Sequence, residues 1–261
     1  MPGQALQLYT LRAFTKTAAD LRSTLERVRA IGYRAVQVSA VGALENDVSP
    51  EELGAWLREL DIRCVATHRS WASLREHTNR EIALHAALSS DFVAIGGIPD
   101  GYDKQNPAEY QRFLSESHCV REALLSAGLR FGHHNHAFEF DRGDVGSGQS
   151  PWDVLIECGG PDYYLELDVY WAWHSGVDPV GLFRRMAGRV PVVHIKDRAV
   201  IAGEPKMAPI GEGNLPWDTI IPTGNAAGVD WWCVEQDECH RDAFASVESS
   251  YRYLRDVHGL H

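Results

Sequence analysis

FGHHNHAFEF (131–140), YLELDVY (164–170), VPVVHIKD (190–197) and WWCVEQDE (231–238) decide how this chain is read. Each stretch begins as an apolar, β-rich run and ends in His, Asp, Glu or Lys. An ionised group buried at the tip of an apolar strand must find a partner. Four such tips in succession point to one shared partner, and a divalent cation is the simplest.

Working outward, the same pattern of short β-rich runs extends over the whole chain. The expected strands are 5–10, 35–40, 63–68, 92–97, 130–135, 163–169, 190–196 and 231–236, and their starts lie 27 to 41 residues apart. That spacing suits strand–loop–helix units joined by parallel crossovers. The intervening helices carry their own start signals. Thr17 precedes AADLRSTLERVRAIG, Ser49-Pro50-Glu51-Glu52 reads as an N-cap with proline at N1, and Ser150-Pro151 and Asp178-Pro179 repeat the device. A last helix over 242–257 bears Phe244, Val247, Tyr251 and Leu254 on one face. Eight units with no linker or composition break predict an α/β chain folded as a single (β/α)8 TIM barrel, one domain over 1–261. An open doubly wound sheet would carry a glycine-rich phosphate loop after its first strand, and LYTLRAFTKT has none.

Composition narrows the function. The net charge of −11 disfavours nucleic acid and anionic membranes alike. No apolar stretch approaches the ~18 residues of a membrane span. The start MPGQALQLYT lacks a secretory pattern, so a cytoplasmic location is expected. Five cysteines (64, 119, 158, 233 and 239) without a CxxC argue against a disulfide framework or a thiolate zinc site, and Cys233 reads as a small core residue. Nothing in the sequence signals an oligomeric state.

In a (β/α)8 barrel, the C-terminal strand ends surround the mouth that holds the active site. Alternation then sorts side chains. It turns Tyr164, Glu166 and Asp168 inward, with Val190, Val192, His194 and Lys196, then Trp231, Cys233 and Glu235, and Cys64, Ala66 and His68. In the 130–135 strand, Gly132, His134 and His136 share a face, and Glu139 is out of phase with them. The centre expected from these residues is Glu139, Asp168, His194 and Glu235, a set suited to Mn²⁺, Mg²⁺, Co²⁺ or Zn²⁺. Each has a plainer reading. Asp168 would cap the following helix, and His194 would be a satisfied core histidine. Glu235 on WWCVE is harder to explain that way, because glutamate is rarely buried unpaired.

HHNHAFEF, LELDVYWAWHSGVDP, VVHIKDR, GEGNLPW and the glutamate at 235 together resemble the xylose isomerase-like barrel superfamily, within it the sugar isomerase/epimerase group. The resemblance spans most of the chain and is most specific over 130–236. It implies one divalent metal held by Glu, Asp, His and Glu, which carry over to Glu139, Asp168, His194 and Glu235. In the epimerase branch the first glutamate stands early in its motif, at the place of His134 here, so His134 is the alternative ligand. The substrate implied is a small carbohydrate. The chemistry implied is proton abstraction beside a metal-chelated carbonyl through an enediolate, with Glu139 and Glu235 as bases on opposite faces and His134 or His136 as replacement for Glu139.

At the same mouth, His68, His136, Lys196 and Trp171 are candidates to hold sugar hydroxyls. Lys196 would otherwise pair with Asp197, and the tryptophans would otherwise pack. GEGNLPW (211–217) is a weak candidate for a phosphate cradle. Three rival readings stand beside this one: a lyase on a keto-sugar or keto-cyclitol using the same metal and base, an abasic-site endonuclease disfavoured by the charge, and a non-catalytic sugar-binding protein.

Overall fold

Eight short strands close into a parallel barrel in the computed structural model, which describes residues 2–143 and 148–261. They are β1 (Gly3–Gln7), β2 (Ala35–Val38), β3 (Arg63–His68), β4 (Phe92–Ile95), β5 (Arg130–His134), β6 (Tyr163–Asp168), β7 (Val192–Ile195) and β10 (Trp231–Val234). Around the barrel the order is β1-β10-β7-β6-β5-β4-β3-β2. The fold is therefore the expected single (β/α)8 barrel. No helix among the described residues is long and apolar enough to cross a membrane.

The helix starts follow the caps. Thr17, Ser49, Ser150, Asp178 and Asp242 each accept a hydrogen bond from a backbone N–H of the turn they open, and Ser49 and Ser150 form full capping boxes. The first strand differs from expectation. It runs two residues earlier, and Leu8–Phe14 winds into 3₁₀ turns. β3 differs too. Its pairing with β2 slips between Val36 and Gln37, so Cys64 faces Val36 while Ala66 faces Gln37. The extra residue resets the alternation. Cys64 joins the outer, helix-facing core rather than the barrel interior, whereas His68 still reaches the mouth.

The lower half of the barrel is filled by Ala5, Ala35, Val65, Ala66, Phe92, Ala94, Val192 and Cys233, with Tyr164 and Trp231 packed against them. Gly132 makes room for the largest of these, since a Cβ there would lie 2.5 Å from the Phe92 ring. Cys233 is thus the core residue expected, and all five cysteines are free. Between the outside of the strands and the helices lies the larger apolar layer, built on residues such as Leu6, Val36, Phe131, Leu165, Val193 and Trp232.

One element has no counterpart in the sequence reading. After β7 the chain forms an antiparallel hairpin, β8 (Asp197–Ile201) with β9 (Glu204–Ala208). Its exposed Val200 and Ile201 give no buried stripe to betray it.

Candidate metal centre at the barrel mouth

Above the apolar filling, the barrel interior becomes polar over one strand repeat. β5 supplies His134, β6 supplies Glu166 and Asp168, β7 supplies His194 with Lys196 just beyond it, and Glu235 directly follows β10. β2 contributes Gln37 and β3 His68. Nearly all are sealed from solvent: Glu166, Asp168, His194 and Lys196 are 0% exposed, His134 4% and Glu235 5%. Asn135 fixes Asp168 from behind, its amide oxygen accepting from Asp168 N at 2.8 Å. Asp168 Oδ1 accepts from Trp171 N at 3.0 Å and so caps the helix Val169–His174. The plainer capping role is real, and it occupies one oxygen only.

Among the described residues, two groups have ligand atoms within 4.8 Å of one another: His134, Asp168, His194 and Glu235, and below them His68, His134, Glu166 and His194. His134 and His194 belong to both. His194 Nδ1 donates to Glu235 Oε2 at 3.0 Å and Nε2 to Gln37 Oε1 at 2.7 Å. Gln37 Nε2 in turn donates to Glu166 Oε1 at 2.7 Å, and His68 Nε2 makes a very short contact with Glu166 Oε2.

The charges follow from this packing. Burial would raise the Glu166 carboxyl, but His68 and His194 outweigh it and hold Glu166 well below the usual carboxylate range. Burial opposes a charge on His194 too, yet Glu166 and Glu235 raise it to about 10. For His134, burial first and then repulsion from His194 outweigh the support of Glu166 and push it well below its ordinary value. Asp168 rises to about 6, through burial first and the nearby Glu235, against the attraction of Lys196. The upper group thus pairs a charge-favouring imidazole, His194, with a neutral-favouring one, His134, and carboxylates of unequal affinity for protons.

Lys196 Nζ sits 2.7 Å from Asp168 Oδ2 and 3.1 Å from Asp237 Oδ2, and closer still to Glu235 Oε2. The contact with Asp168 is an ion pair only, because Oδ2 has no aligned hydrogen bond. Lys196 therefore does not pair with Asp197, as the sequence suggested. Asp197 instead fixes the loop after the hairpin. Its Oδ1 accepts from Arg198 N (2.8 Å) and Leu215 N (3.1 Å), and its Oδ2 from Gly211 N (2.9 Å) and Trp217 Nε1 (2.7 Å). Gly213 has to be glycine there, since a Cβ would lie 2.2 Å from Asp197 Oδ1. The Gly211 and Leu215 N–H groups are thus spent on a carboxylate within the chain, and those of Glu212 and Asn214 on the Pro209 and Arg198 carbonyls, which corrects the phosphate-cradle reading.

The remaining candidates divide. Glu139 is not brought into either group. It lies in a 3₁₀ turn, Phe138–Phe140, where Oε2 accepts from His136 N at 2.8 Å and Oε1 lies 3.3 Å from His133 Nε2. The strand ends at His134, and the turn carries Glu139 behind His136 instead of over the mouth. His134, the alternative, does enter. His136 stands beside His134, with ring centres 5.0 Å apart, and its Nδ1 is buried without a hydrogen bond. Burial first, with Lys196, lowers its pKa, while Glu139 and Glu235 work in the opposite direction. Trp171 lies next to His136, ring centres 5.9 Å apart, and its Nε1 is likewise unpartnered. Trp71 packs edge-on against Phe113 and Phe131 and is core.

Gln37, Glu166 and Asp237 carry much of the geometry and were assigned no role from sequence. Alternation had placed Glu166 inward, which was the available signal. Gln37, within AVQV, offered none.

These residues fit a divalent cation. Two imidazoles and two carboxylates converge, and Asp168 Oδ2 and His134 Nδ1 are buried with no aligned hydrogen bond to occupy their lone pairs. Ligation by His194 requires it to release one of its two ring protons.

Comparison with known proteins agrees with this architecture. No curated protein matches the sequence. Among solved structures, a sugar phosphate isomerase/epimerase from Parabacteroides distasonis superposes with a TM-score of 0.80 at 21% identity, over 97% of this chain and 93% of that one. The probable 3-DHS dehydratase AsbF of Bacillus anthracis gives 0.73 at 16%, over 97% and 98%. The IolI protein with a bound zinc atom gives 0.72 at 14%, over 98% and 97%. At such identities these structures speak for the fold alone. The family model described as xylose isomerase-like TIM barrel matches residues 25–257, and the chain belongs to that family.

Proposed function

We propose that this chain is a divalent-metal-dependent sugar isomerase or epimerase, acting by removal of the proton beside a substrate carbonyl. The observation that carries the reading is the convergence of His134, Asp168, His194 and Glu235 at a buried barrel mouth. His134 takes the place expected of Glu139. The cation, Mn²⁺, Mg²⁺, Co²⁺ or Zn²⁺, supplies the positive charge that acidifies the proton next to the carbonyl.

The chain's own residues supply the rest. In the metal-free chain Glu235 is held ionised by Lys196 and His194 against the effect of burial, a hold the cation would take over, and it can take a proton from one face of the reacting carbon. Epimerisation needs a second group opposite, and His136 answers that need better than Glu139 does. Its Nδ1 is unpartnered, and its lowered pKa keeps the ring neutral near pH 7. Glu139 is then a positioning residue that anchors the His136 backbone. Trp171 Nε1 and His68 offer further polar contacts for substrate hydroxyls. With a net charge of −11, a small neutral carbohydrate is a better partner than a nucleic acid.

A lyase would use the same residues, with loss of a β-substituent after the proton is taken. His136, once it has taken the substrate proton, could pass it to such a leaving group, and one protein of like fold is described as a dehydratase.

The test begins with metal content, measured by plasma mass spectrometry on tag-free protein. One divalent ion per chain, absent from Asp168→Ala, is expected. Incubating the loaded protein with ketoses and keto-cyclitols in D₂O then separates the chemistries. Deuterium gained at the carbon beside the carbonyl, with the molecule otherwise intact, marks epimerisation, whereas loss of water marks a lyase. Failure to retain Mn²⁺, Co²⁺ or Zn²⁺ at any ratio would end the metal-dependent reading.

A further inference from the structure

Lys196 lies where a cation on Asp168 and Glu235 would have to lie. Its Nζ is within 2.7 Å of Asp168 Oδ2 and in still closer contact with Glu235 Oε2, two of the four groups proposed above as ligands. Its side chain is 0% exposed, so no water shields the three charges from one another. A third carboxylate, Asp237, touches the ammonium at 3.1 Å, and Asp237 belongs to neither group of candidate ligands. It also differs from the other two in being 28% exposed, at the outer edge of the site.

We infer that Lys196 is an internal stand-in for the metal: its ammonium holds Asp168 and Glu235 in the metal-free chain and yields them to a divalent cation by withdrawing onto Asp237. Two like charges cannot share one pair of buried carboxylates, because their repulsion is only weakly screened there. Each metal ion bound must therefore break two lysine ion pairs. Asp237 gives the displaced ammonium a partner it already touches, so the lysine need not be left unpaired. The lysine thereby keeps the carboxylates from repelling one another before loading, at the expense of metal affinity. This rests on the metal-dependent reading above and adds a role for Lys196 that the four ligands alone do not imply.

The test compares chelator-stripped wild type, Lys196→Met and Lys196→Arg by titration calorimetry with Mn²⁺, alongside thermal melts with and without the ion. Lys196→Met, which keeps the length and removes the charge, should bind Mn²⁺ about tenfold more tightly or better. It should also melt below wild type when metal-free and gain more from Mn²⁺. Lys196→Arg, which keeps the charge, should show no gain in affinity. Should the Met variant fold poorly without metal, the wild type serves. Reductive methylation followed by peptide mass spectrometry should modify Lys196 faster in the Mn²⁺-loaded chain than in the stripped chain. Equal affinity in wild type and Lys196→Met, or equal methylation in the two states, would overturn the inference while leaving the metal site intact. Binding of Mn²⁺ by none of the chains would overturn both.

Discussion

Asp197→Asn is the most informative single-atom change this fold offers. The carboxylate opens β8 and is buried, and each of its oxygens accepts two hydrogen bonds, from Arg198 N and Leu215 N on one side and from Gly211 N and Trp217 Nε1 on the other. An asparagine retains the shape but only one accepting oxygen. Whichever way its amide is turned, two donors face an NH₂ group. A buried donor left without an acceptor costs about 1–3 kcal/mol, so two cost about 3 kcal/mol when some relaxation is allowed. For a chain of this size a loss of that magnitude lowers the melting temperature by about 6–12 °C. Far-UV circular dichroism melts give the global value. Hydrogen exchange of the Gly211 and Leu215 amides reports the loop itself, because these N–H groups are among the donors affected. A fall of less than about 2 °C would mean that these four contacts do not hold the loop, and the account of GEGNLPW as an aspartate-organised turn would fail.

Other expectations follow from different parts of the molecule. Glu81 accepts from two Arg69 nitrogens, Nε at 2.6 Å and Nη2 at 2.7 Å, and burial would raise its pKa, but the Arg69 and Ser73 hydrogen bonds lower it further than burial raises it. A depressed folded-state pKa stabilises above the unfolded value of about 4.5 and ceases to do so as pH falls through the depressed value. Glu81→Gln should therefore cost about 1–3 kcal/mol in urea unfolding at pH 7, with the difference from wild type shrinking as the pH falls below the unfolded carboxylate value. Gly132→Ala should destabilise by about 1–3 kcal/mol, because the added methyl meets the Phe92 ring at 2.5 Å; an unchanged urea midpoint would mean the barrel floor is loosely filled. His136→Gln should lower turnover of an identified substrate by about 100-fold or more while metal content stays at one ion per chain. Loss of the metal together with the activity would instead make His136 a ligand.

The barrel was legible because every unit repeats the same physical message. A short apolar run is followed by a cap such as Ser49-Pro50 or Ser150-Pro151, and each cap does open its helix. Strand alternation placed Asp168, His194, Lys196 and Glu235 inward, since a period of two admits no drift over four to six residues. It misplaced Cys64, because a bulge changes phase and leaves no mark in RCVATH. Glu139 could not be placed by alternation, since the strand ends at His134 and a 3₁₀ turn follows. Gln37 and Asp237 were silent for a different cause: their roles lie in contacts with residues 129 and 41 positions away, Glu166 and Lys196, and no local pattern encodes such pairings.

The filling of the lower barrel by Phe92, Tyr164, Trp231 and their neighbours has a kinetic consequence. A chamber stopped at one end has a single doorway, so product leaves by the way substrate enters. Product that lingers blocks entry outright, and should inhibit competitively against substrate whatever reaction is carried out inside. Traffic through that doorway, rather than the chemical step, then becomes the natural limit on turnover once the catalytic groups are efficient.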